Sequence, residues 1–292
     1  MITLSGKEFA ATIREDVTER AAKLAVDGTP PRLAVVTATD DEASAWYVRS
    51  IAKAADKVGI ACDVVDLGST ATGPDVVEAL TSLSADGAVH GVILQTPLPD
   101  GLSVAELAGN IAVRKDVDGS NPTSLGRLAA GLPAFAPATA AAVVALLEHH
   151  EVPLEGKHVV VVGRSVVVGK PVAHLLLDRN ATVTVCHSRT ADLAAVTTTG
   201  DVLVAAVGKA GLIKAEHVAE GAVVVDVGTN ATADGGLVGD VDPEVAEKAG
   251  SLTPVPGGVG PVTTALLLRH TVEAAETAHT VPGRRRQPSW RR

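Results

Sequence analysis

The residues with the clearest chemical meaning lie in Gly163-Arg164-Ser165-Val166-Val167-Val168-Gly169. Glycines between a strand and a helix let the backbone approach a diphosphate, and the orphan N–H groups opening the helix favour its charge. The turn departs from G-x-G-x-x-G. Ser165 takes the second glycine's place, Val168 the third's, and Gly169 comes one step late. Taken locally, such a turn also suits any doubly wound sheet with no nucleotide at all. The next apolar run narrows the chemistry. An NAD-selective site usually carries a carboxylate about 20 residues on, against the ribose 2′-hydroxyl. Here the run ends Cys186-His187-Ser188-Arg189, without an acid. Arg164, Arg189 and the Ser188 hydroxyl suit a 2′-phosphate, because guanidinium makes forked, charge-assisted hydrogen bonds to phosphate oxygens. The cofactor implied is NADP.

Four other polar clusters are Asp40-Asp41 with Tyr47, Gln95, the loop carrying Lys115, Asp116 and Asp118, and Gly257-Gly258. Open α/β sheets bind ligands beyond the carboxyl ends of their strands, where these clusters fall or nearly fall. Each has a plainer reading too. Asp118 serves as a turn former, Gln95 as an exposed strand end, and Tyr47 as a core ring with a wet tip.

The elements that must position these groups follow from periodicity. Val159 to Val162, closed by Gly163, reads as a strand buried on both faces. A helix from about Lys170, with Pro171 in its first turn, ends near Asn180, and Ala181 to Cys186 is the next strand. Upstream, an amphipathic helix over 6–26 precedes strand Arg32 to Thr37, a helix from about Ser44 to Val58, and strand Cys62 to Leu67. Helix Pro74 to Ser84, strand Val89 to Gln95, a helical stretch Val104 to Ile111 and a polar loop Arg114 to Asn121 complete that half. Helix Thr139 to His149 crosses to the glycine turn. Beyond it come strands Val202 to Val207 and Ala222 to Val227, then a rigid loop Thr253 to Thr263 whose glycines allow close backbone approach. A final helix runs from Thr264 to about Ala278, and the arginine-rich tail from Pro282 reads as a solvated terminus. Strands alternating with helices predict parallel sheets with helices on both faces.

A chain of 292 residues has room for two cores. With 46% hydrophobic and only 2% aromatic residues, aliphatic side chains must fill them. The net charge of −9 argues against nucleic acid as the main partner. No apolar run reaches the roughly 18 residues of a membrane span, and the first residues lack a signal peptide's charged and apolar regions. Cys62 and Cys186, alone and far apart, fit a reducing cytoplasm and no metal site.

Together these pieces resemble the bifunctional methylenetetrahydrofolate dehydrogenase/methenyltetrahydrofolate cyclohydrolase family. The matching motifs are Tyr47-Val48-Arg49-Ser50 with Lys53-Ala54; Gly91-Val92-Ile93-Leu94-Gln95 with Pro97-Leu98-Pro99; and Lys115-Asp116-Val117-Asp118-Gly119. They continue with Gly163-Arg164-Ser165, Cys186-His187-Ser188, Asp226-Val227-Gly228 and the specific Thr253-Pro254-Val255-Pro256-Gly257-Gly258-Val259-Gly260-Pro261. The resemblance runs from about Leu4 to Ala275. It implies two α/β domains around a folate cleft: a folate domain over 1–138 completed by helix 264–280, and a Rossmann-like NADP domain over 139–263, with 281–292 a basic tail. It implies a homodimer. It also implies catalytic roles for Tyr47, Gln95 and Asp118, substrate contacts from these three with Pro256, Gly257 and Gly258, and cofactor contacts from Gly163, Arg164, Ser165, Gly169, Ser188, Arg189 and Thr229.

The family's catalytic lysine lies four residues after the tyrosine, and here that position is Ile51. Lys53 keeps a second family lysine, but two residues turn a helical side chain by about 200°, away from the tyrosine's face. Thr39 and Glu42 stand where the family usually has glycine and proline, and in Pro137-Ala138-Thr139-Ala140-Ala141-Ala142 alanines replace its usual Cys, Pro and Gly. Hydride transfer needs the two rings held face to face and no proton exchange with a side chain. Hydrolysis of the methenyl product needs a proton shuttle. The expectation is therefore an NADP-dependent dehydrogenase with little cyclohydrolase activity. The alternatives are a paralogue acting on another reduced pterin or one-carbon carrier, and a non-catalytic NADP-binding regulator.

Overall fold

β-Branched residues set the first sheet. In the strand His158–Val162 all four valines are buried, as a strand covered on both faces requires. The computed structural model describes residues 1–232 and 235–279, so the basic tail over 281–292 lies outside the described residues. The chain divides into two units, one made of Met1–Ala11 with Thr139–Thr263, the other of Thr12–Ala138 with the chain from Thr264 onward.

The first unit holds a six-stranded parallel sheet in the order Ile2–Thr3, Ser251–Leu252, Val223–Asp226, Val202–Ala205, His158–Val162, Thr182–Cys186. His158–Val162 has its sequence successor on one side and Val202–Ala205 on the other, so the strand order reverses between these two. A crevice opens at such a switch point, beyond the carboxyl ends of the strands. Val160, Val162, Leu203, Ala205 and Val224 pack one face against Ile213, Val218 and Val245. The edge strand Ile2–Thr3 was not foreseen, because two residues show no period of their own.

In the second unit three parallel strands lie in the order Ala61–Asp66, Arg32–Thr37, Gly91–Leu94, with one further bridge from Val92 to Asp116. Helix Glu42–Lys57 begins at Asp41, whose carboxylate accepts the Ser44 N–H at 2.7 Å. Helix Gly73–Ala85 opens on a Thr72/Asp75 capping box with Pro74 in its first turn.

Two expectations are revised and one helix is added. The polar loop Arg114 to Asn121 opens on a 3-10 turn, Val113–Lys115, and is largely buried: Lys115, Asp116, Ser120 and Asn121 are all covered. Their polar atoms find partners inside: the Lys115 ammonium donates to the Leu83 carbonyl at 3.1 Å and to that of Asp86 at 2.5 Å, at the end of helix Gly73–Ala85. A helix Pro122–Ala129, N-capped by Asn121, follows at once. The last helix starts at Val259, five residues early, so the glycine-rich loop ends at Gly258. Pro261 does not prevent this, since the first turn of a helix needs no N–H from it.

Candidate functional site

In the second unit the candidate residues meet around helix Glu42–Lys57 and the loop Asp116–Gly119. Tyr47 is half-buried, and its hydroxyl hydrogen-bonds the Thr264 side chain. Burial pushes the phenol up to about 12 and the nearby Asp118 charge adds to this, against the Thr264 hydrogen bond, so Tyr47 stays a protonated donor. Asp118 is pushed up to about 7, chiefly by burial and then by Asp116, while the Ala138 N–H pulls the other way.

The two aspartates of this loop have different work. Asp116 is fully buried and accepts the N–H groups of Ser120 and Asn121, each at 3.0 Å, which holds the start of helix Pro122–Ala129. Among the described residues Asp118 receives one backbone N–H, from Ala138, and keeps the rest of its accepting capacity. Gly119 makes this possible. Its φ of +63° suits glycine, and a Cβ there would strike the backbone of Phe135 to Pro137, 2.5 to 2.7 Å away.

Gln95 follows strand Gly91–Leu94, and its amide donates to the neighbouring Thr96 carbonyl at 2.7 Å. That carbonyl also accepts from the Ser44 hydroxyl at 3.2 Å, which ties the loop to the start of the Tyr47 helix. Tyr47 and Asp118 are thus neighbours, whereas the hydrogen bond of the Gln95 side chain stays within its own loop. Ile51, one turn beyond Tyr47, is 1% exposed, and Lys53 is exposed.

In the first unit the Gly163 turn lies at the switch point. Gly163 has φ +129°, and a Cβ would collide with the Ala206 carbonyl; one on Gly169 would collide with that of Gly163. Both positions exclude any side chain, which brings helix Gly169–Leu177 tight against the strand. Ser165 does what a glycine could not: its hydroxyl accepts the N–H of Val168 at 3.1 Å and of Gly169 at 3.4 Å. Arg164, Ser165, Ser188, Arg189 and Thr229 are exposed around these strand ends. A switch-point turn whose two glycines have no room for a Cβ, bordered by two exposed guanidinium groups and hydroxyls, fits a phosphorylated dinucleotide.

Gly257 and Gly258 are buried and Pro256 is exposed. Their loop is gripped by the N-terminal segment: Gly6 N–H donates to the Gly257 carbonyl at 2.9 Å, and a Cβ on Gly6 would overlap the Gly258 carbonyl. Sequence reading missed Gly6, Thr264 and His270. The first stands in an unremarked Ser-Gly-Lys, and the other two read as ordinary positions of the last helix. Among the described residues no helix is long and apolar enough to cross a membrane.

The tetrahydrofolate dehydrogenase/cyclohydrolase catalytic-domain model matches residues 4–118, and the NAD(P)-binding-domain model of that family matches residues 137–279. A relative from Saccharopolyspora erythraea, "Bifunctional protein FolD 1", is 66% identical over 94% of each chain. The crystal structure of a bifunctional FolD methylenetetrahydrofolate dehydrogenase/cyclohydrolase from Campylobacter jejuni superposes with a TM-score of 0.92 at 42% identity, covering 95% of this chain and 99% of that one. A Trypanosoma brucei FolD, solved with NADP cofactor and inhibitor, gives 0.91 at 35% identity over 96% and 99%. Two domain models that together span most of the chain, and a relative this similar along its whole length, leave one assignment: the chain belongs to the tetrahydrofolate dehydrogenase/cyclohydrolase family.

Proposed function

We propose that this chain oxidises 5,10-methylenetetrahydrofolate to 5,10-methenyltetrahydrofolate with NADP, and that its hydrolysis of the product to 10-formyltetrahydrofolate is weak or absent. The first half follows from family membership and the dinucleotide turn. The single observation carrying the second is the side chain one helical turn after Tyr47: an isoleucine, 1% exposed, where the family places its catalytic lysine.

NADP, when bound, supplies the hydride acceptor. The Gly163 to Gly169 turn would orient its diphosphate, with Ser165 holding the turn, Arg164, Ser188 and Arg189 taking the 2′-phosphate, and Thr229 contributing a hydroxyl. On the folate side, Asp118 titrates near neutrality and can accept from the pterin ring's N–H groups, while Tyr47 donates. Gln95 would line the same site, and Pro256, Gly257 and Gly258 would present backbone to the substrate. Hydride transfer then rests on positioning, which contributes on the order of 7–11 kcal/mol in favourable cases.

Hydrolysis is a different demand. Water attacks the methenyl carbon and protons must move as the ring opens, a step where a general acid/base is worth about 10²–10⁴-fold. Isoleucine has no proton to give. Lys53 points about 200° away from Tyr47's neighbour position.

The finer assignments are a homodimer and a reducing cytoplasm; the free Cys62 and Cys186 support the latter. The test is a paired assay of the purified chain: methylenetetrahydrofolate with NADP, following reduced cofactor, and methenyltetrahydrofolate alone, following its loss above the spontaneous rate. Dehydrogenase without cyclohydrolase is expected. Strong cyclohydrolase would mean that another group moves the proton, and silence in both would discard the dehydrogenase reading.

A further inference from the structure

We infer that His270 is the positioning residue for Asp118, holding the carboxyl at the place from which it meets the substrate. The inference rests on the reading of Asp118 as a folate contact. His270 lies on the last helix, and its Nδ1 is 2.8 Å from the carbonyl oxygen of Val117, the residue immediately before Asp118. A carbonyl can only accept, so Nδ1 carries the proton and the imidazole donates. The ring is 7% exposed, and burial lowers its titration to about 4, so at neutral pH the imidazole is uncharged and its single N–H is the one on Nδ1.

Two further contacts make the arrangement rigid. Phe135 lies 4.9 Å from the imidazole, centroid to centroid, with the rings tilted by 33°. Val117 is fully buried against Gly91, where an added Cβ would come 3.0 Å from both Val117 methyls and from the Thr271 hydroxyl. The peptide entering Asp118 is therefore gripped by the last helix through its carbonyl and by the sheet through its side chain. On the other side Gly119 packs against Phe135 to Pro137. Asp118 has one backbone donor of its own, from Ala138. Its placement comes from its neighbours: the loop's own backbone bonds, Val117 N–H to the Lys115 carbonyl at 2.9 Å and Gly119 N–H to that of Asp116 at 3.1 Å, and His270, the side chain that reaches it from the last helix.

The experiment compares His270→Phe, which keeps a ring against Phe135 but removes the donor, with His270→Asn, whose amide N–H can take the place of Nδ1–H. Each is made alone and with Asp118→Asn, and steady-state kinetics are read for methylenetetrahydrofolate and NADP. Expected for His270→Phe is a rise of about tenfold in the folate KM, the worth of one buried hydrogen bond, with kcat and the NADP KM within about twofold. His270→Asn should recover most of it, and in the Asp118→Asn background His270→Phe should add little.

An unchanged folate KM in His270→Phe, a penalty that persists in the Asp118→Asn background, or a fall in kcat alone would overturn the positioning role. If Asp118→Asn itself leaves the folate KM unchanged, the reading of Asp118 fails and the role of His270 with it. A loss in Asp118→Asn without one in His270→Phe sinks the positioning role alone. Should His270→Phe not fold, the nitrogen shifts of His270 in the unsubstituted protein decide: a proton on Nδ1 is required, and a proton only on Nε2 overturns the assignment.

Discussion

The backbone N–H of Asp240 donates to the carboxylate of Asp226 at 2.9 Å, while the carboxylate of Asp240 accepts the N–H groups of Val207, Gly208 and Lys209 at 2.7 to 2.9 Å. One buried acid thus orients a second, and the second shapes the turn after strand Val202–Ala205, at the switch point. Asp226 carries a cost for this, since burial raises its pKa against the N–H groups of Asp240, Val241 and Gly228. Asp240→Ala strands those three turn amides and the Asn230 amide, which also donates to Asp240. A loss of about 2–4 kcal/mol in urea unfolding is expected. A rise in the NADP KM should accompany it, and unchanged stability would discount the relay.

Gly6 and Gly258 are in such close contact that Gly6→Ala must shift a backbone carbonyl and not a side-chain tip. A loss of about 2–4 kcal/mol is expected, read from the urea midpoint. Gly109→Ala, where nothing lies near the added methyl, is the control and should change stability by under about 1 kcal/mol.

Ile51→Lys places an ammonium at a buried position. The new amine should titrate well below the usual lysine range, because burial penalises its charge. Stability should fall by about 1–3 kcal/mol. Methenyltetrahydrofolate hydrolysis should rise above the spontaneous rate while dehydrogenase kcat stays within a few-fold. Hydrolysis unchanged in a folded variant would show that the lost lysine is not what limits it.

Arg164 and Arg189 can be tested by cofactor choice. Replacing both with alanine should weaken NADP by about 10–100-fold, the range for charge-assisted hydrogen bonds to phosphate, and change NAD by less than threefold. Equal losses for the two cofactors would place the arginines on the diphosphate instead.

His270 and Asp118 set opposite pH dependences. The folded pKa of His270 is depressed to about 4, so its contribution is present above about 6.5 and is lost as pH falls through 4. Asp118 is raised to about 7, so its contribution is present below about 4 and is lost as pH rises through 7. Asp118→Asn should therefore be more stable than the parent at pH 8, by about 1–2 kcal/mol after allowance for the solvent that a part-buried residue still meets, and equal at pH 4. His270→Asn should flatten the acid limb between pH 6.5 and 4. Thermal melts across pH 4 to 8 check both.

The order of residues carries what depends on neighbours along the chain. The valines of His158–Val162 must form a buried strand, glycine must end it, Pro171 fits a first helical turn, and arginines without an acid after Cys186 suit a 2′-phosphate. It also showed the absence of a lysine at position 51. Tertiary structure decided everything that depends on contacts between distant segments. Asp116 and Asp118 are two residues apart and indistinguishable by type, yet one is consumed by the backbone of Ser120 and Asn121 while the other stays available. Lys115 read as part of a polar cluster in a loop and instead is buried, donating to the end of a helix some thirty residues upstream. The residues matched at 4–11 and 264–279 also pack with the opposite units from the domain models that cover them. Strand Ile2–Thr3 finds its hydrogen bonds on Ser251–Leu252, and His270 reaches Val117. Backbone and ring donors must be paired once buried, and the partner is whichever group the fold brings within 3 Å, not the nearest in sequence.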